Sequence, residues 1–465
     1  MESETLAFDL DENGFPVDSL SSEGEAVDRD ADKVEELSLA IPDASEKSSN
    51  FASDFYAGGT DWSCLLLKDK GTGKKGLVQK NLLQLWGIEK PLICPGSSIS
   101  LSPPRKRVCS KRIGDDRSGS ERPRACPFYK KIPGTSFTVD AFRYGLIQGC
   151  STYFLTHFHY DHYGGLSKRW SHGPIYCTPL TARLVKMCLS VNPLFICPLE
   201  LNTEHVIDGV KVTLLEANHC PGAALVHFRL RDGRCYLHTG DFRACKLMQS
   251  YSLLTHQRIN VLYLDTTYCN PKYRFPPKED VVSFVVRTTR KYLEKQPKTL
   301  VVVGSYSIGK ERVYIAISQA LGVQIYTDAS RRRILQSFGW PELSGQLCSC
   351  GQASPLHVLP LSALRPESLK DYLRKYLPQF TAVLAFRPTG WTYSDATGNH
   401  LDLIKPTTKG NITIYGVPYS EHSSYTELRE FVQFVRPERI IPTVNVGNAA
   451  NRDKMQSYFQ EWLKT

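Results

Sequence analysis

The chain has 465 residues, of which 41% are hydrophobic and 22% charged, with a formal net charge of +10. That is long enough to bury at least one large core and allows two to four ordinary domains. A uniformly basic chain is ruled out. Residues 1–62 hold 17 acids against 3 bases, residues 63–131 carry a net +11, residues 132–465 carry a net +13, and all 12 histidines lie beyond residue 156. No run approaches the ~18–20 consecutive apolar residues of a membrane span, so no membrane partner is expected. The opening MESETLAFDLDENGF lacks a basic region followed by an apolar one, and its acids disfavour a transit peptide. Fourteen cysteines without a C-x-x-C pair read as reduced thiols of an intracellular protein.

Residues 1–125 are expected to be a disordered acidic tail and basic linker, because weak apolar periodicity offers little burial against ordering entropy. Within them, Leu82–Trp86 has helical spacing and could dock on a repair-protein partner. The cluster Pro103-Pro104-Arg105-Lys106-Arg107, with Lys111-Arg112, is of the nuclear-import type and points to an import receptor over 103–112. From residue 126 short β-rich runs follow: CSTYFLTH, GPIYC, HVIDGVKVTLLEA, AALVHFRL, RCYLHTGD and INVLYLDTT, with Asp232-Gly233 as a turn signal. After residue 277 the texture becomes βαβ, with a helix over about 277–295, strand TLVVVG, helix ERVYIAISQALG and strand VQIYT. The chain closes with strand NITIYGV, helix YTELREFVQFV, strand RIIPTV and a terminal helix. An α/β fold is expected, an αββα body interrupted by an α/β insertion.

His157-Phe158-His159-Tyr160-Asp161-His162 follows the strand Tyr153–Thr156 directly. Alternate residues of extended chain face one side, so His157 and His159 can grip one ion; after the turn, Asp161 and His162 can reach a second. Imidazole and carboxylate together suit Zn²⁺ or a similar divalent ion, and two ions ~3.5–4 Å apart suit an in-line displacement. Further ligands are expected at other strand ends: His219 in NHCPG, and Asp241 in HTGDF, placed to bridge. Asp140 in SFTVDAF could orient a ligand from behind. Each alone reads as an ordinary turn residue. Together they read as a metallohydrolase.

HFHYDH, NHCPG and HTGDF resemble successive motifs of the metallo-β-lactamase fold, and LDTTY, GSYSIGKE, RPTGW and YSEHSSY resemble those of its β-CASP branch. The similarity is greatest to the DNA cross-link repair nucleases and covers roughly residues 130–465. It implies a metallo-β-lactamase sandwich over 126–269 and 406–465, interrupted by a β-CASP insertion over 270–405. It also implies that His157, His159 and His219 hold the first metal, that Asp161 and His162 serve the second, and that Asp241 bridges. Asp265 and His422 would pair as proton donor to the leaving oxygen. RNA-processing members carry a further histidine where this chain has Val444, so a DNA substrate is implied. One zinc should be held tightly, and a second divalent ion (Zn²⁺, Mg²⁺ or Mn²⁺) more weakly.

Gly304–Glu311 reads G-x-x-x-x-G-K followed by Glu, between a strand and a helix. Glu311 stands where a nucleotide-binding loop needs a hydroxyl for Mg²⁺, which argues against ATP hydrolysis. Ser307, Gly309 and Lys310 could still cradle one phosphate, and Thr389-Gly390-Trp391 offers a hydroxyl, open backbone and a stacking surface. Arg331–Arg333 could line a DNA groove, or lie on a solvated helix face. The expected activity is a nuclear, metal-dependent 5′→3′ exonuclease on 5′-phosphorylated DNA in interstrand cross-link and end-processing repair. The alternatives are a structure-selective endonuclease and, more remotely, an RNA nuclease or a non-enzymatic scaffold.

Overall fold

In this computed structural model, residues 125–393 and 400–464 are described. The acidic tail, Leu82–Trp86 and the 103–112 cluster lie outside them. Three sheets follow the chain. The first joins β1 (Lys131–Ile132), β2 (Phe137–Val139), β3 (Thr152–Phe154), β4 (Ile175–Cys177) and β5 (Ile196–Pro198) in sequential order. All of its pairs are parallel except β1 with β2. The second contains β6 (Glu204–Ile207), β7 (Val210–Glu216), β8 (Ala224–Arg229), β9 (Cys235–His238) and β10 (Val261–Leu264).

The β7–β8 and β8–β9 pairs are antiparallel and β9–β10 is parallel, so β7, β9 and β10 point the same way. The two sheets bury a shared core in which Phe137, Phe154 and Phe228 touch at ring-centroid distances of 5.1–6.0 Å. Each such buried ring contributes about 1.5–3 kcal/mol from area alone. The alternating pattern of Val210-Lys211-Val212 puts valine into that core and lysine into water.

The inserted lobe carries β11 (Thr299–Ser305), β12 (Ile325–Tyr326), β13 (Leu347–Cys348), β14 (Leu356–Pro360), β15 (Ala382–Pro388), β16 (Thr407–Lys409) and β17 (Ile412–Val417). Their spatial order is β13-β12-β14-β11-β15-β17-β16. β11 and β15 are buried almost throughout, as expected for the centre of a parallel sheet covered on both faces. The return to the sandwich is expected at residue 406; β17 hydrogen-bonds along β15 from Ile412 to Val417, and Ile412 and Ile414 pack with Leu300 and Val302.

The last segment then completes the sandwich. Helix Tyr425–Val435, opened by a Ser424–Glu427 capping box, packs Phe431 on Phe242, and β18 (Arg439–Pro442) adds parallel to β10 as the sheet edge. Arg243, 3% exposed, ties this segment down. Its guanidinium meets the Glu427 carboxylate and donates to the carbonyls of Ser420 and Pro276. Helices Pro179–Leu189 and Ala449–Lys464 were not expected in detail or were expected without bounds; Thr178 caps the first and Pro179 opens it.

Candidate metal centre

The C-terminal ends of β2 and β3 in one sheet, and of β7, β9, β10 and β18 in the other, open at one end of the sandwich. Side chains that loops deliver there converge, as at the carboxyl ends of parallel strands generally. His157 and His159 leave β3, and the single helical turn Tyr160–Tyr163 presents Asp161 and His162. His219 follows β7, Asp241 follows β9 and Asp265 follows β10. Gly240 permits the approach of Asp241: it has φ +53°, and a Cβ there would meet Thr156 at 2.7 Å.

Ring nitrogens meet where water or a proton would normally separate them. His157 Nε2 lies 2.9 Å from His159 Nδ1, which lies 3.2 Å from His219 Nε2. Asp241 Oδ2 stands 3.6 Å from His157, 3.7 Å from His219 and 3.3 Å from His162 Nε2, and Asp161 Oδ2 is 3.5 Å from the same His162 atom. Donor atoms about 2.0–2.1 Å from a tetrahedral ion are roughly 3.3 Å apart, so these spacings are those of a coordination shell. The residues therefore fit a divalent ion.

Each imidazole has its other nitrogen fixed. Asp140, buried and at φ +53°, accepts from His162 Nδ1 at 2.7 Å and from Thr156 Oγ1 at 2.8 Å. With its proton committed to Asp140, that hydroxyl accepts from His157 Nδ1 at 3.0 Å, leaving His157 Nε2 as a lone pair. His159 Nε2 faces the Ile308 carbonyl at 3.3 Å and His219 Nδ1 the Glu421 carbonyl at 3.0 Å. Burial and the neighbouring imidazoles push His157 and His219 well below the usual histidine value, so both are neutral. Burial opposes protonation of His162 too, but Asp241, Asp140 and Asp161 outweigh it and hold that imidazole well above 6.5.

Asp265 and His422 meet at 2.8 Å between Oδ2 and Nδ1. Asp265 is 2% exposed and also accepts from the Thr267 hydroxyl at 2.6 Å and from the Thr267 and Phe242 amides. Burial disfavours its charge, yet the His422 imidazole and these donors hold it below the ordinary carboxylate value. Burial likewise opposes the His422 charge, and Asp265 with Asp241 raises it above 6.5. His422 borders a cavity of about 710 Å³ shared by His159, Asp161, His162, His219 and Asp241.

The glycine loop, expected to cradle a phosphate, reaches the cavity through Lys310. Ser307 is buried and does not line the cavity, the Gly309 amide donates to Glu311 Oε1 at 2.7 Å, and the Lys310 ammonium is ion-paired with Glu421. Thr389 and Gly390 do line it, beside Trp391 and Tyr268, and a Cβ on Gly390 would meet Tyr268 Oη at 2.6 Å. Arg331 is 1% exposed, so it belongs to the interior of the lobe rather than to a groove.

Val444 lines the cavity with its backbone held by Thr266 on both sides, and supplies no donor side chain there. Sequence reasoning missed Lys130, whose Nζ donates to the Asp140 carbonyl at 2.9 Å, and Glu421. It also missed Cys220, whose Sγ lies within 4.8 Å of the His157, His159 and His219 donors. Burial first, then Glu421, Glu311 and Asp241, keep that thiol protonated. The letters H-C in NHCPG and S-E-H in SEHSS were the available signals for the last two.

A sandwich of two sheets with histidine and aspartate gathered at its strand ends defines a metallo-β-lactamase-type protein, and the inserted parallel lobe places it in the β-CASP branch. The chain belongs to the DNA cross-link repair (SNM1) family of that branch. It is 60% identical over 440 residues to the DNA cross-link repair protein SNM1 of Arabidopsis thaliana, covering 89% of this chain and 90% of that one. The human DNA cross-link repair 1A protein is 49% identical over 354 residues, 76% of this chain but 34% of the longer relative. The 5′ exonuclease Apollo of Gallus gallus is 34% identical over 333 residues, 71% of this chain and 65% of that relative. Residues 341–448 match the family described as DNA repair metallo-beta-lactamase.

Proposed function

We propose that this protein is a metal-dependent DNA nuclease, a 5′→3′ exonuclease acting in interstrand cross-link and DNA end-processing repair. The observation that carries the reading is the meeting of His157, His159, His162, His219 and Asp241, with His422 and its partner Asp265 beside them, at the strand ends that border one cavity. The names of its relatives, cross-link repair proteins and a 5′ exonuclease, support the substrate. In this reading His157, His159, His219 and Asp241 hold a tightly bound Zn²⁺. Asp161, His162 and Asp241 hold a second, weaker ion (Zn²⁺, Mg²⁺ or Mn²⁺), because Val444 offers it no ligand. Divalent ions there would supply Lewis-acid activation of water and neutralise charge on the phosphate.

The chain's own groups do the rest. The His422 imidazolium, oriented by Asp265, donates a proton to the departing 3′ oxygen. Thr389 and Gly390 receive a phosphate, and Trp391 offers a face for a base. Asp140 holds His162 directly and His157 through Thr156. We further place the sandwich at 126–269 and 418–465 and the insertion at 270–417. Nuclear import would run through residues 103–112, with the acidic tail free for a repair partner.

Matched 5′-phosphorylated and 5′-hydroxyl oligonucleotides, end-labelled and digested with and without chelator, test the reading. The 5′-phosphorylated strand should be shortened from its 5′ end at least about 10-fold faster, on the scale of one lost charge-assisted contact. Chelator should abolish digestion. Equal rates would sink the exonuclease pocket, and internal cuts would favour the endonuclease.

A pH dependence follows from the two kinds of histidine. His157 and His219 are already neutral, so the first ion needs no proton release from them. His162 is protonated well above 6.5 and must lose that proton to bind. Occupancy of the second position should therefore rise with pH above 6.5, with about one proton released per ion. Calorimetry in two buffers of different ionisation enthalpy reads that proton, and a second ion bound without proton release would refute it.

A further inference from the structure

We infer that the Lys310–Glu421 ion pair is a latch that positions the metal-binding histidines, holding the glycine loop of the inserted lobe against the turn before His422. This inference rests on the proposed reading of the histidine cluster as a metal site.

Lys310 and Glu421 are each 5% exposed and lie 111 residues apart in sequence. Both carboxylate oxygens of Glu421 are taken by this one lysine. Oε2 meets the ammonium, and Oε1 accepts from the Lys310 backbone amide at 3.0 Å. To make both contacts Lys310 adopts φ +71°, an uphill conformation for a residue with a Cβ. Gly309, at φ +96°, leaves room for the carboxylate; a Cβ there would stand 3.0 Å from Oε2. The loop is braced from behind as well. Ser305 Oγ donates to the Gly309 carbonyl at 2.7 Å, and Glu311 holds the Gly309 amide.

Both sides of the latch touch the cluster through backbone carbonyls. The Glu421 carbonyl accepts from His219 Nδ1, and the Ile308 carbonyl accepts from His159 Nε2. Those bonds fix the tautomers that turn His219 Nε2 and His159 Nδ1 toward each other at 3.2 Å. One ion pair thus sets two ligands delivered by different sheets. Buried ion pairs are poor sources of net stability, so a role in holding geometry fits this one better than a role in folding energy. It also gives the lysine of a loop with phosphate-binding spacing a carboxylate partner within the chain.

The test uses the full-length zinc-loaded protein and the variants Lys310→Met, Lys310→Arg and Glu421→Gln, with zinc content measured by elemental analysis and zinc release timed with a coloured chelator. Circular dichroism reports folding. Lys310→Met should release zinc about 10–100-fold faster than the parent, the usual penalty for losing an outer-shell partner. Lys310→Arg should recover at least half of that loss on a logarithmic scale. The preference for 5′-phosphorylated over 5′-hydroxyl DNA should stay as in the parent. Zinc release from folded Lys310→Met at the parental rate overturns the latch, as does a lost 5′-phosphate preference with zinc unchanged, which would make Lys310 a phosphate ligand. Should Lys310→Met not fold, Glu421→Gln keeps an oxygen for the Lys310 amide and should release zinc about 3–10-fold faster, below the full outer-shell penalty; a parental rate there overturns the latch. A parent that binds no zinc at all would refute the metal reading itself, which is a separate result.

Discussion

Asp241→Ala should lower DNA hydrolysis at least about 10³-fold while leaving DNA binding in place. Losing one well-placed electrostatic stabiliser of a transition state costs about 10²–10³ in rate, and Asp241 serves both proposed ion positions. Its Oδ2 is within 3.3–3.7 Å of His162, His157 and His219, so no neighbouring group can replace it. Asp161→Ala touches only the second position, and its loss should be smaller and partly reversed by added Mn²⁺. Single-turnover digestion, beside a binding measurement and elemental analysis, separates these outcomes. Parental cleavage by Asp241→Ala would refute the metal mechanism, and unchanged binding with no cleavage in the parent would favour a scaffold.

The second large effect is expected at Asp265→Asn. Asp265 accepts four hydrogen bonds at a buried site, and an amide has one oxygen where the carboxylate has two. The amide NH₂ would then face donors, His422 Nδ1 and the Phe242 N–H in the place of Oδ2 or the Thr267 N–H and hydroxyl in the place of Oδ1. An unsatisfied buried donor costs about 1–3 kcal/mol of stability. The larger consequence is chemical: without the carboxylate the His422 imidazolium is no longer favoured, and general-acid assistance is typically worth about 10²–10⁴ in rate.

The sign of the pH dependence follows. His422 is held above 6.5 in the parent, so its donor form persists to a higher pH than a free imidazole's and is lost as pH rises through that raised value. Asp265→Asn should move this alkaline limb toward lower pH as well as lowering the plateau. A variant with a reduced rate and an unmoved limb would assign Asp265 a structural role.

The site was legible in the sequence to the extent that its residues are clustered or follow strong strands. H-x-H-x-D-H announces itself because alternate residues of an extended chain share a side, and the structure brings His157, His159 and His162 together with Asp161 3.5 Å from His162. Asp140 was legible as a supporting group, though not that it would act on His157 through Thr156. Neither Glu421 nor Lys310 could be read this way, because an ion pair spanning 111 residues leaves no local pattern. The spacing of Gly304–Lys310 invited a phosphate, and only the fold reveals that Lys310 also meets a carboxylate 111 residues away. Secondary structure followed the same rule. Long periodic segments such as Lys278–Lys295 were plain, whereas the sheet that takes β16 and β17 was not, since a β-rich run does not say which sheet it will join.

The edge strand β18 and the turn bearing His422 have a bearing on biosynthesis. The donors gathered from β3, β7 and β9 are all made before residue 242, while His422 and the strand that closes their sheet come after residue 420. A polypeptide emerging from the ribosome therefore carries most of its metal-type ligands long before it has a finished cavity. An mRNA-tethered intermediate has no Glu421 carbonyl to set His219 and no His422 to meet Asp265. Interrupted translation would yield a product without the assembled site.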